Sequence, residues 1–385
     1  MPASSSPLKR AIFLALMALW AHPGAARAAQ PQQVLLAQQA PGAPQANEKR
    51  PALARLPLTG LNISGGEFGK PGGRYGFDYI YPSDTELADA KAHGFSVVRV
   101  PFLWERLQPQ LDGPLAAEEL ARLRDLVARA GAQGLAVILD VHNYARYFGQ
   151  PIGSPQVPIE AFARFWGTLA AAFRDDPRVV FGLMNEPHDM STEVWAAAAS
   201  AAIAAIRATG ATNLVLIPGN AYSGAHSWTK SGYGTPNAVA MAKVIDPCNN
   251  MAFEVHQYLD TDFSGTSPAC PSAAAALAGL RDVTTWLHEH GAKGFLGEFA
   301  ASERPECLAA LASLLRFTAE HGDRWLGWTY WAGGAWWPKD YMFSVEPIAG
   351  ADRPQMKVLQ AWHGADGLPP ASCRPRRPPG TRGTP

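Results

Sequence analysis

The chain has 385 residues, 47% of them apolar and 17% charged, an ordinary globular make-up with room for one large domain or two small ones. Lys plus Arg and Asp plus Glu each total 33, so the formal charge is zero and no electrostatic footprint for nucleic acid or an anionic membrane is present. A neutral partner suits this balance, and twelve Trp offer flat faces of the kind that stack on sugar rings, although core packing accounts for Trp equally well.

In chain order, Lys9-Arg10, the apolar run Ala11–Ala21 and the small-x-small site Ala26-Arg27-Ala28 read as an export signal over residues 1–28. The run falls short of the roughly 20 residues needed to span a bilayer, so no membrane anchor is expected after cleavage. Residues 29–52, rich in Gln, Ala and Pro, form a flexible lead-in, and residues 367–385 a Pro/Arg-rich tail that includes Cys373. The four cysteines, Cys248, Cys270, Cys307 and Cys373, are an even number in a chain bound for an oxidising compartment, which implies two disulfides. None has the close spacing of a zinc site.

Residues 53–366 alternate short apolar runs with helical ones. Strands are expected at Leu58–Ser64, Phe95–Val100, Leu135–Val141, Val179–Met184, Asn213–Pro218, Met251–His256, Gly294–Gly297 and Trp325–Trp331. Helices are expected at Asp84–His93, Leu115–Ala132, Ile159–Phe173, Thr192–Ala208, Ala273–His290, Pro305–His321 and Pro354–His363, with a long polar loop over Gly219–Asn250. Eight such units predict an α/β fold, a single (β/α)8 TIM barrel. The rival, an open doubly wound sheet, would show a Gly-rich phosphate turn after its first strand, and Gly65-Gly66-Glu67-Phe68 is not that fingerprint.

A barrel enzyme carries its chemistry at the carboxyl ends of its strands. Here Arg99 marks the second strand, His142 the third, Asn185-Glu186 the fourth, His256 and Tyr258 the sixth, Glu298 the seventh and Trp331 the eighth. Each alone reads as a satisfied core residue; together they are hard to obtain from packing, because buried charges are costly unless paired. Glu186 and Glu298 come from opposite sides of the mouth and supply the pair needed to cleave a glycosidic bond, one protonated and one ionised. Arg99 and His256 are placed to hold one carboxylate charged.

The motifs NEP (Asn185-Glu186-Pro187), GEF (Gly297-Glu298-Phe299), HQY (His256-Gln257-Tyr258), RVPF, DVHNY and WTYWAGG resemble those of glycoside hydrolase family 5 from about Leu58 to His363. Longer runs, ISGGEF, PFLWERLQP, LMNEPHDM and FLGEF, are similar to its secreted endo-β-1,4-glucanases. Ala300-Ala301 follow GEF where many relatives carry Gly.

The resemblance implies Glu298 as nucleophile, Glu186 as proton donor and then base, and retention of configuration with carboxyl groups about 5–5.5 Å apart. It implies Asn185 on the substrate 2-hydroxyl, Tyr258 steadying Glu298, His142 and His256 on substrate hydroxyls or the nucleophile, and Trp331 as floor. It also implies the pairs Cys270–Cys307, on loops at the active-site face, and Cys248–Cys373 at the opposite face.

The expected partner is a β-glucan polysaccharide cleaved by a secreted monomer, with no cofactor and no metal. Trp104, Trp228, Trp336 and Trp337 are candidates for further stacking platforms. Alternative readings are hydrolysis of mannan, xyloglucan or mixed-linkage glucan, a metal-dependent barrel hydrolase using the same His and Glu, and a polysaccharide-binding protein without catalysis.

Overall fold

The computed structural model describes residues 53–232, 234–364 and 373; the expected signal, the lead-in and the tail other than Cys373 lie outside the described residues. Eight strands, β1 (Leu58–Ile63), β2 (Val97–Phe102), β3 (Ala136–Val141), β4 (Val179–Gly182), β5 (Val215–Pro218), β6 (Met251–His256), β7 (Gly294–Glu298) and β8 (Trp325–Gly333), close into one barrel. Every neighbour is parallel, and β8 closes the ring on β1 through Leu58↔Gly327 to Leu61↔Tyr330. The strands are runs of Val, Ile, Leu and Phe without polar alternation because both faces are buried, one inside the barrel and one beneath the helices.

Helices α1 (Asp84–Ala92), α2 (Ala117–Ala132), α3 (Ile159–Phe173), α4 (Thr192–Ala208), α5 (Ala278–Glu289), α6 (Pro305–Glu320) and α7 (Pro354–Gln360) form the outer layer. Their starts follow local chemistry. Ser83 and Glu86 form a capping box at α1, and α6 and α7 begin on Pro, whose missing N–H costs nothing there. The expected helix Ala273–His290 is broken into Ala273–Ala276 and α5, and Leu115 and Ala116 lie ahead of α2 rather than in it.

The period of two along each strand sorts the core into two parts. Leu58, Val97, Ala136, Ile138, Val180, Leu214, Leu216, Ala252 and Phe295 fill the lower barrel, while alternate residues such as Val98, Val137, Leu139 and Val255 pack outward on the helices. Continuing the inward parity toward the carboxyl ends gives Asn62, Arg99, Asp140 and Glu254, all buried. The apolar plug is therefore capped by a polar layer, and the cleft opens above it.

Both disulfides are formed, Cys248 with Cys373 and Cys270 with Cys307. Cys307 lies in the first turn of α6, not on the loop expected for it, so the bond ties a helix to the segment after β6.

Candidate active site

All eight residues singled out from the sequence converge at the carboxyl end of the barrel. Seven of them, His142, Asn185, Glu186, His256, Tyr258, Glu298 and Trp331, line one open cleft of about 390 Å³. Arg99 does not reach the cleft. It sits in the middle of β2 rather than at its end, fully buried, and reaches the others from below.

Arg99 organises the floor. Its Nη1 donates to Asn62 Oδ1 at 2.8 Å and Glu298 Oε1 at 2.9 Å, and Nη2 donates to Asn185 Oδ1 at 2.9 Å. Nη2 also lies 3.0 Å from Asp140 Oδ1 and 3.1 Å from Glu254 Oε1. Burial opposes its charge, but the Asp140, Glu254 and Glu298 carboxylates outweigh that and hold the guanidinium above its ordinary range. Asn62 ties this layer to the sheet through bonds to Gly297 O at 2.9 Å and Thr329 O at 3.1 Å.

Glu298, at the end of β7, accepts from Arg99 on one oxygen and from the Tyr258 hydroxyl on the other at 2.7 Å. Burial, then the Glu298 and Glu186 charges, push the Tyr258 phenol well above its ordinary value, so it stays a neutral donor. Gly297 beside it is required by space: a Cβ there would lie 2.0 Å from Glu254 Oε1.

Glu186 lies beyond the end of β4, in a left-handed conformation with φ +43°, and its side chain is 17% exposed to the cleft. Its Oε1 is 2.7 Å from His256 Nδ1. Nε2 of the same ring is 3.2 Å from Glu254 Oε1, and Nδ1 is 3.6 Å from Glu298 Oε2. Burial disfavours a charged imidazole, yet Glu298, Glu186 and Glu254 outweigh it and raise His256 to about 10. With carboxylates at both nitrogens the ring is an imidazolium that donates twice. The structure thus places His256 on Glu186 rather than directly on Glu298, where the sequence left it between nucleophile and substrate.

His142 is oriented by Asp140, whose Oδ2 is 2.8 Å from Nδ1, and its ring stacks at 5.5 Å on Trp331. Burial lowers its pKa, but Asp140, Glu298 and Glu67 raise it on balance. The Asn185 carbonyl is pinned by Arg99, so its amide N–H faces His142 Nε2 at 3.2 Å, the pattern of a neutral ring that donates to Asp140 from Nδ1.

Sequence reasoning missed Asn62, Asp140 and Glu254. Their signal was parity: Asp140 lies two residues before His142 and Glu254 two before His256 on strands whose period is two. Tyr144 and Tyr341, which line the cleft, were also missed. The tryptophan candidates divide. Trp104 is fully buried against Tyr147 and Phe165, and Trp228 against Phe253 and Trp286, so both are core rather than platforms. Half-buried Trp337 stacks on Tyr341 at 4.2 Å and stands edge-on to Trp331; Trp336 is also half-buried.

Chemically, one oxygen each from Glu186 and Glu298 and a nitrogen of His256 lie within 4.8 Å of one another. This cluster has enough ligand atoms for a metal ion, but an incoming cation would meet the guanidinium on Glu298 and a proton on His256. The set fits carboxyl-group chemistry on a neutral substrate better.

Comparison with known proteins agrees with this geometry. The chain is 38% identical to endo-beta-1,4-glucanase A of Emericella nidulans over 317 residues, 81% of this chain and 94% of that one. It is 48% identical to XacCel5A, solved in complex with cellopentaose, with a TM-score of 0.79 over 80% of this chain and 99% of that one. Pseudomonas stutzeri endoglucanase Cel5A, solved with cellobiose, is 34% identical with a TM-score of 0.73, covering 84% of this chain and all of that one. Residues 55–334 match the family model for cellulase, so the chain belongs to glycosyl hydrolase family 5.

Proposed function

We propose that this protein is a retaining endo-β-1,4-glucanase that cuts internal bonds of cellulose-type β-glucans. The observation that carries the reading is the Glu186–Glu298 pair, within 4.8 Å of each other in an open cleft, with Glu298 held by a buried guanidinium and a phenol. Oxygens that close leave less room for a water between the carboxyl groups than the inverting arrangement of about 6.5–9.5 Å, which supports the retaining one of about 5–5.5 Å.

Glu298 attacks the anomeric carbon while Glu186 gives its proton to the departing oxygen, breaking the glycosidic bond and leaving a glycosyl ester on Glu298. Glu186 then takes a proton from water as that water attacks the same carbon, and Glu298 leaves as a carboxylate. Two cations, Arg99 and His256, face four carboxyl groups, Asp140, Glu186, Glu254 and Glu298. Of these four Glu186 is the member open to the cleft, where the departing oxygen arrives. Asn185 takes the sugar 2-hydroxyl, Trp331 stacks beneath the ring, and His142 fixes Asn185 and Trp331 in place.

Assignment of the substrate as β-1,4-glucan rests on the endoglucanase relatives and on the aromatic-lined cleft. The two disulfides, together with the signal-like residues 1–28, support secretion, and among the described residues no helix is long and apolar enough to cross a membrane. Side-by-side digestion of carboxymethyl cellulose, glucomannan, xyloglucan and barley glucan tests the substrate. Fastest release of reducing ends from carboxymethyl cellulose or barley glucan is expected. Cleavage of mannan with carboxymethyl cellulose left intact would overturn it. Prior incubation with EDTA leaves the rate unchanged, whereas loss of activity restored by a divalent ion supports metal chemistry instead.

A further inference from the structure

Glu186 is an unusual residue on which to place a proton donor. Its φ of +43° is rare for a side-chain-bearing residue, and Pro187 after it narrows the conformations it can adopt. Such a backbone persists only when its surroundings hold it. The flanking bonds from Asn185 N to Val141 O at 2.7 Å and from Tyr222 N to Pro187 O at 3.1 Å hold the neighbouring residues, but neither touches Glu186 itself.

His256 holds the Glu186 carboxyl group, and the side chain that bonds its main chain is His188. Its Nδ1 lies 3.0 Å from the carbonyl oxygen of Glu186. That oxygen only accepts, so Nδ1 carries the proton. At the other side of the ring Arg146 Nη1, which only donates, lies 3.4 Å from Nε2, in keeping with that tautomer, and Asp189 Oδ2 lies 3.7 Å from the same nitrogen. The ring is clamped flat against Tyr222, with centroids 4.2 Å apart and planes 14° apart, and Tyr144 meets it edge-on at 5.5 Å. Arg146 Nη2 also reaches the His188 carbonyl at 3.4 Å. An imidazole wedged between a cleft tyrosine and an arginine, and aimed at the main chain of the acid, has an orientation too specific for a surface histidine.

We propose that His188 is a positioning residue for Glu186. Its Nδ1–H fixes the left-handed Glu186 backbone so that the carboxyl group points at the glycosidic oxygen, and Tyr222 and Arg146 fix His188. This rests on the reading of Glu186 as the proton donor. His188 touches no reacting atom, so its effect is confined to the step that needs a well-aimed proton.

The test compares kcat/KM on cellopentaose, whose leaving group needs a proton, with kcat/KM on 2,4-dinitrophenyl β-cellobioside, whose leaving group does not. In H188A the first falls about 10- to 100-fold, the scale of a misaimed catalytic group, while the second stays within about twofold. H188N keeps a donor where Nδ1 stood and recovers most of the loss; H188Q, with its donor at the place of Nε2, does not. If H188A fails to fold, the H188N and H188Q pair carries the comparison. Equal losses on both substrates, no loss on either, or equal rescue by Asn and Gln overturn the proposal. An E186A control separates the two levels. If E186A itself fails to discriminate the substrates, the reading of Glu186 falls, whereas if E186A discriminates and H188A does not, only the role of His188 falls.

Discussion

Glu298 and the Arg99 that holds its carboxylate have effects that substitution separates. Glu298→Ala removes the proposed nucleophile and is expected to lower kcat on carboxymethyl cellulose by at least about 10³-fold, with the fold intact by circular dichroism. Arg99→Ala instead leaves Asp140, Glu254 and Glu298 facing one another without their cation. Breaking such a buried network costs about 3–5 kcal/mol, and the lowered denaturation midpoint measures it.

His256 carries a pH signature. Its pKa rises from the usual value near 6.5 to about 10 in the folded protein, so its stabilisation is complete below about 6.5 and is lost as pH climbs toward 10. The thermal midpoint therefore falls between pH 7 and pH 10, and a level midpoint over that range contradicts a charged His256. Most of the eight residues were readable because they stand in a polar break at the end of an apolar run, and Arg99 and Trp331, inside their strands, because their motifs resemble the family's. Asp140, Glu254 and Asn62 escaped because a single polar residue inside a buried strand reads as a boundary until its parity with Arg99, His142 or His256 is counted.

Among the elements, the short helix Trp104–Leu107 after β2 has a role beyond its length. Buried Glu105 accepts from Asn143 Nδ2 and from the Phe148 N–H, and Asn143 Oδ1 accepts from the Trp104 N–H, so the segment holds the loop that carries His142 and Tyr144. Arg106 covers the Tyr79 ring at 3.6 Å and binds the carbonyls of Gly66 and Phe68, fixing the loop after β1. Glu105→Ala frees the Asn143 loop and leaves its buried donors unpaired, costing about 1–3 kcal/mol. It raises KM for cellopentaose more than it lowers kcat, as initial-rate kinetics will show.

This helix and the hairpin pairing Arg146–Tyr147 with Gln150–Pro151 were invisible in the sequence. Elements of two to four residues have no period to read and exist only through such tertiary bonds. The barrel strands were legible because β-branched and aromatic runs of strand length recur between amphipathic stretches. Met251–His256 kept both its ends, and the other seven strands moved by one or two residues at one end or both, since the first hydrogen bond of a parallel strand depends on its neighbour. The core positions of Trp104 and Trp228 were illegible for the same reason, because burial there is decided by how a loop turns back.

For the molecule as a whole, the disulfides act on the chain rather than on the chemistry. Cys270–Cys307 spans 37 residues and ties the segment after β6 to α6. Replacing both cysteines by Ser lowers stability by about 2–4 kcal/mol in denaturant titration and leaves kcat nearly unchanged at 25 °C. The closed barrel was legible from the count of β-plus-α units, whereas the two-part core, apolar below and ionic above, emerged only when the strands were placed side by side.

That layering is what joins the parts into one account: an apolar plug supports a buried guanidinium, the guanidinium holds Glu298, and an oxygen of Glu186 stands within 4.8 Å of one of Glu298. The stereochemistry of the first product tests it most directly. Proton NMR of cellopentaose hydrolysis, recorded before mutarotation, is predicted to show the β-anomer of the new reducing end appearing first. Initial release of the α-anomer would contradict a nucleophilic Glu298 and the double-displacement chemistry built on it.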